Sequence, residues 1–230
     1  LNTMWENVKQ RASQLATPSL VYEDLDTVLK VVRDNFLPGD KIIINSTFEY
    51  EKLMNFLQSM MPSMKGRVRI YQEQTSLFTA FNIEQQIELA LQRRVKLKSG
   101  GHIVIDEAEA LTAIDVNTGK FIGGRNLEDT VFRTNLEAAV EIARQVRLRS
   151  IGGIIIVDFI DMEIKHNQEK VMRAFDEAFA TDKAKVNIIP LTEIGLIEMT
   201  RRRMRPTLSR ILCTTCPHCG GTGMHRKKSA

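Results

Sequence analysis

The chain has 230 residues, of which 43% are hydrophobic, and this is enough for a buried core in one large or two small domains. No apolar run approaches the roughly 18 residues that a membrane-spanning helix needs, and the N-terminal sequence LNTMWENVKQ lacks the apolar core of a signal peptide. These features predict no membrane span and no secretory leader. Because Leu1 is not a methionine, we expect the chain to be a fragment.

The formal net charge of +4 is unevenly distributed along the chain. Residues 201–230 contain eight Lys and Arg and no Asp or Glu, whereas residues 1–200 contain 24 basic and 28 acidic side chains. A basic C-terminal segment favours a polyanionic partner such as a nucleic acid, although many basic tails are only solvated.

The first 94 residues contain signals for helices and two strands. The predicted elements are helices over 1–16 and 25–36, a strand over 41–45, a helix from about 47 to 61, a strand over 67–71, and a helix from about 83 to 93. Ser46 with Glu49 forms a capping box for the third helix, and Asn82 is the expected cap of the fourth.

From residue 99 onward, strands and helices alternate. The predicted elements are strands over 102–106 and 111–115, a helix over 127–149, a strand over 154–159, a helix over 168–180, a strand over 186–191 and an apolar stretch over 195–199. Asn126 is the expected cap of the long helix, and Gly152 with Gly153 is the expected stop. This alternation predicts an α/β fold.

Polar side chains lie at the ends of two apolar strands. Asp115 and Asn117 are two residues apart and therefore share one face of a strand. Asp158 follows four apolar residues, where a buried unpaired charge would be costly. Two carboxylates and an amide suit a hard divalent cation such as Mg²⁺, and beside a basic surface this suggests phosphate chemistry. The alternatives to a metal site are a polar edge or turn at Asp115 and a salt bridge between Asp158 and an arginine.

Three cysteines lie within seven residues, a spacing that predicts a metal site in a reducing cytoplasm rather than a disulfide framework. Cys216 and Cys219 lie in CPHCGGTG, which has the form of a zinc knuckle. Structural zinc needs four ligands. Cys213, His218 or His225 could complete the set, or a second chain could donate its own pair. Free reduced thiols are the alternative.

A run of arginines precedes Pro206. The density of Arg201, Arg202, Arg203 and Arg205, in the sequence RRRMR, suits contact with phosphate, and a solvated charged segment is an equally good interpretation. Lys185, in TDKAK, is a weaker candidate. Aromatic residues do not alternate with basic ones in a way that would suggest base stacking.

Several segments after residue 99 resemble, in order, the catalytic region of the bacterial ribonuclease E/G family. They are SGGHIVIDEAEALTAIDVNTGKFIGG, NLEDTVFRTNLEAAVEIARQVRLRSIGGIIIVDFIDM, GLIEMTRRRMRPTL and CPHCGGTG. The stretch AIDVNTGKFIGGRNLEDT is closer to the shorter G-type branch. The resemblance implies an N-terminal helical remnant (1–26), a ribonuclease H-like subdomain (27–90), a DNase I-like catalytic subdomain (91–212) and a zinc-link loop (213–227).

The same resemblance implies roles for individual residues. Asp115 and Asp158 match the two aspartates that bind Mg²⁺ in the family, and Asn117 matches an asparagine that orients the attacking water or the phosphate. Cys216 and Cys219 match a loop that shares one Zn²⁺ between two protomers. Lys185 matches a basic position near the 5′-phosphate pocket and, with Arg202 and Arg203, is an expected RNA contact.

These inferences predict a cytoplasmic, magnesium-dependent endoribonuclease. Its expected substrate is single-stranded RNA, in rRNA and tRNA processing and mRNA decay, and its products carry 5′-phosphate and 3′-hydroxyl ends. Its expected partner is a second copy of itself, joined through zinc. The family normally begins with an OB-type RNA-binding domain and a 5′-end sensor and carries a small C-terminal domain. We expect this sequence to lack all three, apart from a remnant before Leu25. A non-catalytic RNA-binding or scaffold fragment that keeps the fold and the zinc link is therefore the alternative.

Overall fold

The computed structural model describes residues 2–16, 18–19, 21, 25–119, 127–189 and 195–224. The chain divides into two compact units, residues 1–81 and 82–230, which are described separately. Both combine helices with strands, which confirms the predicted α/β class. Within the described ranges, no helix is both long enough and apolar enough to cross a membrane.

The described residues of the first unit form a small parallel strand pair with helices. Its elements are α1 (Asn2–Gln14), α2 (Thr27–Asn35), β1 (Ile42–Ile44), α3 (Thr47–Met60), a 3₁₀ turn (Pro62–Arg67), β2 (Val68–Ile70) and α4 (Leu77–Ala80). The two strands pair in parallel, Ile42 opposite Val68, and α3 lies between them in the chain. Ser46 accepts a hydrogen bond from the Glu49 N–H at 3.3 Å, which confirms the predicted start of α3.

Apolar side chains of α2, α3 and β2 form the core of this first unit. The buried members are Leu29, Val32, Leu53, Phe56, Leu57 and Val68. Helical spacing of apolar residues is the pattern that predicts α2, whereas α3 is predicted by its capping box.

The described residues of the second unit form one six-stranded mixed sheet in the order β3-β4-β5-β6-β8-β7. The elements are α5 (Ile83–Leu91), β3 (Arg94–Lys96), β4 (His102–Glu107), β5 (Leu111–Asn117), α6 (Leu127–Leu148), β6 (Gly153–Asp158), α7 (Lys165–Phe179), β7 (Val186–Ile189), β8 (Leu196–Arg201) and α8 (Leu208–Leu212). Only β5 and β6 pair in parallel among these described strands; the other neighbours are antiparallel. The predicted cap at Asn126 and residues 190–191 of the predicted strand lie outside the described residues.

Helices α6 and α7 cover one face of this sheet. Buried residues of the sheet face them: Ile103, Ile105, Ile114, Val116, Ile155, Val157, Ile197 and Met199. The helices contribute Val131, Ala138, Ala139, Ile142, Ala143, Val146, Val171, Phe175 and Phe179. The alternate residues of each strand point to the opposite face, called here the open face, where most side chains are partly or fully exposed.

Two predicted helix-end signals differ in the structure from their expected form. Asn82 directly precedes α5, as predicted, but it adopts a left-handed conformation (φ 54°) and makes no side-chain capping hydrogen bond. Helix α6 ends at Leu148, ahead of the glycines, because Ser150 adopts the left-handed conformation (φ 55°). The Ile151 N–H then donates to Val146 C=O at 2.9 Å and the Ser150 N–H to Arg147 C=O at 3.1 Å, which is a Schellman motif closed by a serine.

Arg201 and Asp182 form a buried ion pair that ties the loop after α7 to β8. The guanidinium makes hydrogen bonds of 2.8 and 3.0 Å to the carboxylate and donates to Ile151 C=O at 2.8 Å. The two side chains are 8% and 2% exposed. The interpretation of the RRRMR run as phosphate contacts is therefore wrong for Arg201, whose buried guanidinium is used in structural bonds.

Replacing Asp182 with Asn should lower the free energy of unfolding by about 3–5 kcal/mol, because the buried Arg201 loses its counter-charge. Burial favours a higher pKa for Asp182, but the bonds from Arg201 and the Ala184 N–H outweigh it and the pKa is lowered. The contribution of the ionised carboxylate is therefore complete at neutral pH and lost as the pH falls below about 4.

Urea unfolding at pH 7 checks this prediction, with Asp106→Asn as the matched control. Asp106 pairs with Arg93, and their side chains are 48% and 70% exposed. The control should cost less than about 1 kcal/mol. Equal destabilisation by the two variants would contradict a structural role of the Asp182–Arg201 pair.

Candidate functional site

Asp115 and Asp158 lie directly opposite each other on neighbouring strands. They are register partners in the parallel pair β5–β6 and both occupy open-face positions. Neighbouring strands lie about 4.8 Å apart, so the two carboxylates project side by side. The expectation of a buried charge at Asp158 is wrong: the residue is exposed because it occupies the open-face position that ends β6.

Asp158 lies close to two other carboxylates. Partial desolvation raises the pKa of Asp158, and the neighbouring carboxylates of Asp115 and Asp161 raise it further. In the part of the chain that the structure describes, no Lys or Arg forms an ion pair with Asp115 or Asp158. The alternative of an Arg salt bridge at Asp158 therefore gains no support. Arg93, which is bound to Asp106, is near enough to Asp115 for a favourable electrostatic interaction without forming an ion pair with it.

Asn117 lies beside the carboxylate pair on the same face of β5. Its Nδ2 donates a hydrogen bond of 2.7 Å to Oδ2 of Asp115, which orients both side chains and leaves the amide oxygen able to accept. The backbone here is closely approached by Gly101, where a Cβ would lie 2.6 Å from the Asn117 carbonyl oxygen. Glycine at position 101 thus allows β4 to run close beside the end of β5.

The donor set fits a hard divalent cation. Within the described residues no three His, Cys, Asp or Glu side chains converge on a metal-sized site. Mg²⁺ is usually held by only one or two carboxylates, with waters and substrate phosphate oxygens filling its other positions. A pair of adjacent, exposed carboxylates that form no ion pair among these residues matches that requirement.

The loop that follows Asp158 is held by Asn135, a residue that the sequence analysis does not single out. Asn135 is fully buried; its Nδ2 donates to Ile160 C=O at 2.7 Å and its Oδ1 accepts from the Ile160 N–H at 3.1 Å. The sequence does contain a signal for this buried role, since Asn135 lies four residues after Val131 on the apolar stripe of α6. A polar residue on such a stripe must find buried partners.

Lys185, Arg202 and Arg203 lie together at the other end of the sheet. The Arg202 N–H donates to Lys185 C=O at 3.0 Å, and Arg203 Nε donates to Gly152 C=O at 3.3 Å. All three side chains are exposed. Gly152 directly precedes β6, whereas Asp158 ends it, a separation of about 20 Å. The three predicted RNA contacts are thus near one another and distant from the carboxylate pair.

The cysteine loop has the backbone of a metal knuckle. The Gly220 N–H donates to Cys216 C=O at 2.9 Å and the Gly223 N–H donates to Cys219 Sγ at 3.3 Å. Hydrogen bonds from Gly223 and Gly221, with a further one from the Cys216 side chain, lower the pKa of Cys219. These interactions favour the thiolate form that binds zinc.

Two cysteines of this loop, Cys216 and Cys219, are suited to act as ligands. Neither Cys213 nor His218 joins them in a group of three metal-binding side chains among the described residues. His225, the other candidate, and the rest of the predicted loop to residue 227 lie outside them. All three cysteines are free of disulfide bonds.

The chain matches a family model and curated proteins over most of its length. Residues 1–204 match the model of the ribonuclease E/G family. The chain is 40% identical to Ribonuclease G of Escherichia coli K12 over 225 residues, which are 97% of this chain and 46% of that protein. It is 42% identical to Ribonuclease E of Haemophilus influenzae over 224 residues, which are 96% of this chain and 24% of that protein. The chain thus spans less than half the length of these relatives, and over that span it belongs to the ribonuclease E/G family.

Proposed function

We propose that the chain is the catalytic core of a magnesium-dependent endoribonuclease that cleaves single-stranded RNA. The observation that carries the proposal is the register pairing of Asp115 with Asp158 on the open face, with Asn117 bonded to Asp115. Membership of a family whose relatives are named ribonucleases supplies the reaction class. On this proposal residues 27–90 are the ribonuclease H-like subdomain and residues 91–212 the DNase I-like one.

The carboxylates of Asp115 and Asp158 would hold the cation. When bound, Mg²⁺ would screen the phosphate charge and lower the pKa of a bound water. Asp115 and Asp158 also keep the site negative, so an RNA phosphate enters only where a cation offsets that charge. The Asn117 amide, fixed by its bond to Asp115, offers its oxygen to orient a water or hydroxyl beside the phosphate. Asn135 fixes the backbone after Asp158 and so keeps the carboxylate spacing.

Attack by water on phosphorus, with departure of the 3′ oxygen, gives 5′-phosphate and 3′-hydroxyl ends. We therefore propose these ends for the products, and rRNA and tRNA processing with mRNA decay as the setting. Free cysteines and a thiolate-favouring loop are consistent with a reducing compartment, and we place the protein in the cytoplasm.

Incubating the chain with a 5′-monophosphorylated single-stranded RNA, in Mg²⁺ and in EDTA, tests the proposal. Internal cuts that need Mg²⁺ and leave a 5′-phosphate on the downstream product are expected. Binding without cutting under all conditions would instead favour the alternative of a non-catalytic RNA-binding fragment.

Lys185, Arg202 and Arg203 are proposed to contact RNA phosphates at a distance from the cleaved bond. Changing both Arg202 and Arg203 to Ala should reduce the slope of log affinity against log salt by about 1.4, or about 0.7 for each phosphate that is no longer neutralised. Binding isotherms at several salt concentrations measure this slope. The matched control replaces Arg133 and Arg173, exposed arginines of α6 and α7, with the same charge change. A slope equal to that of the control would mean that Arg202 and Arg203 face only solvent.

We also propose that Cys216 and Cys219 hold one Zn²⁺ together with the same pair from a second copy of the chain. Two thiolates from each copy complete the four ligands that structural zinc requires. Such a site would join the two chains through their cysteine loops.

A further inference from the structure

The open face continues from the carboxylate pair onto two basic strands. Across the sheet, Arg94 of β3 lies opposite Val104 of β4, which lies opposite Asp115 of β5. In the next row toward the end of β5, Lys96 lies opposite His102, which lies opposite Asn117. Since paired residues share a face, Arg94, Lys96 and His102 project on the same side as the carboxylates.

Two of these three side chains are cations that have no acidic partner in the described residues. Arg94 and Lys96 are exposed, and neither forms an ion pair there. Their neighbour Arg93 differs, since it is bound to Asp106. The positive charges of Arg94 and Lys96 are therefore available to an external anion.

Arg94 is held in place by His102. Its Nη2 lies 3.0 Å from His102 Nδ1. Because arginine can only donate, Nδ1 accepts, and the neutral ring carries its proton on Nε2. His102 thus fixes the guanidinium over the open face and keeps an N–H of its own.

The row of residues that contains the carboxylate pair has a cation at one end only. This row runs from Arg94 through Val104, Asp115 and Asp158 to the apolar Leu196. The acidic Asp106 and Glu198 both lie in the neighbouring open-face row, one on each side. Strands lie about 4.8 Å apart, so the Arg94 backbone is about 10 Å from that of Asp115, and its side chain spans part of this distance. A phosphate next to one at the carboxylate pair would therefore meet Arg94 and Lys96 on the β3–β4 side and the apolar Leu196 on the β8 side.

We infer that Arg94 and Lys96, with His102 as the positioning residue for Arg94, form a phosphate-binding arm that holds the RNA backbone next to the cleaved bond. The inference rests on the proposed cleavage at Asp115 and Asp158. It further specifies that the RNA backbone crosses the sheet over β3 and β4. The arm differs from the Lys185, Arg202 and Arg203 group, which lies at the other end of the strands. A competing explanation is that charges on the edge strand β3 only prevent edge-to-edge association.

Binding of a single-stranded RNA to the chain carrying Asp158→Asn, which blocks cutting, tests the arm directly. Adding Arg94→Ala and Lys96→Ala should weaken binding by about tenfold or more and lower the salt slope by about 1.4. Adding Arg133→Ala and Arg173→Ala, with the same loss of charge, should leave both nearly unchanged. Equal effects of the two pairs of substitutions on RNA binding would overturn the inference. It would also be overturned if the chain without Arg94 and Lys96 bound RNA normally but self-associated, because the two charges would then serve only to protect the sheet edge.

His102 is tested by a double-mutant cycle with Arg94. His102→Ala should weaken RNA binding in the parent and add little when Arg94 is already Ala. His102→Asn should restore binding, since its amide oxygen can accept from Arg94. An equal effect of His102→Ala in both backgrounds would overturn its positioning role.

Cleavage by the chain with its native aspartates separates the arm from the proposed function. The Arg94→Ala, Lys96→Ala chain should show a raised KM with kcat little changed. If the native chain binds RNA through the arm but never cuts it, the proposed function fails while the arm stands. If it cuts with the same KM with or without Arg94 and Lys96, the arm fails while the function stands.

Discussion

Replacing Asp115 or Asp158 with Asn is expected to reduce kcat for RNA cleavage by at least about 100-fold, the scale on which single electrostatic contributions to a transition state act. Each change removes one of the two facing carboxylates. Because both side chains are exposed, neither change should cost much stability. Single-turnover cleavage and circular dichroism measure the two effects separately.

Glu198→Gln is the matched control for these variants. Glu198 is exposed on the same open face, opposite Ile156 on β6, and the change removes the same charge. It should keep most of the activity. A similar decrease for Glu198→Gln would point to the general negative potential of the face, and near-normal cutting by either Asp variant would contradict the metal assignment.

Zinc is expected at half an ion per chain, and its removal should separate the chains. The physical reason is the ligand count, since Cys216 and Cys219 supply two of four donors and no further ligand joins them in the described residues. Metal analysis together with light scattering should show a dimer that becomes a monomer in Cys219→Ser or after chelation.

Cys213→Ser is the control within the same segment. Cys213 is exposed and lies three residues before Cys216. This variant should keep both the zinc and the dimer. One zinc per chain in a monomer, or loss of zinc from Cys213→Ser, would contradict the shared site and indicate a loop that binds zinc by itself.

The placement of Asp158 at a strand end can be predicted from sequence, because a polar residue that ends an apolar strand is a strong local signal. Asp115 lies two residues before the end of β5, which continues to Asn117. Helix α3 is likewise predicted by its capping box and α6 by its apolar stripe. These features depend on residues a few positions apart, where periodicity and capping rules apply.

Other features depend on contacts between distant residues. Strand β3 has three residues, two of them charged, and is too short for any periodicity to show. The burial of Arg201 in an otherwise exposed arginine run follows from its pairing with Asp182, which the packing of β7 against β8 creates. The left-handed Ser150 takes the place expected for a glycine, and no local signal marks it.

The proposed metal-dependent chemistry is tested most sharply by the Mg²⁺ dependence of cleavage by the native chain and by Asp158→Asn, on one RNA at one concentration. We expect the native rate to rise with Mg²⁺ to saturation and to fall to background in EDTA. Asp158→Asn should cut far more slowly at every concentration and need more Mg²⁺ to reach its own maximum. Cutting by the native chain in EDTA, or superimposable Mg²⁺ curves for the two chains, would show that Asp115 and Asp158 do not work through a bound cation.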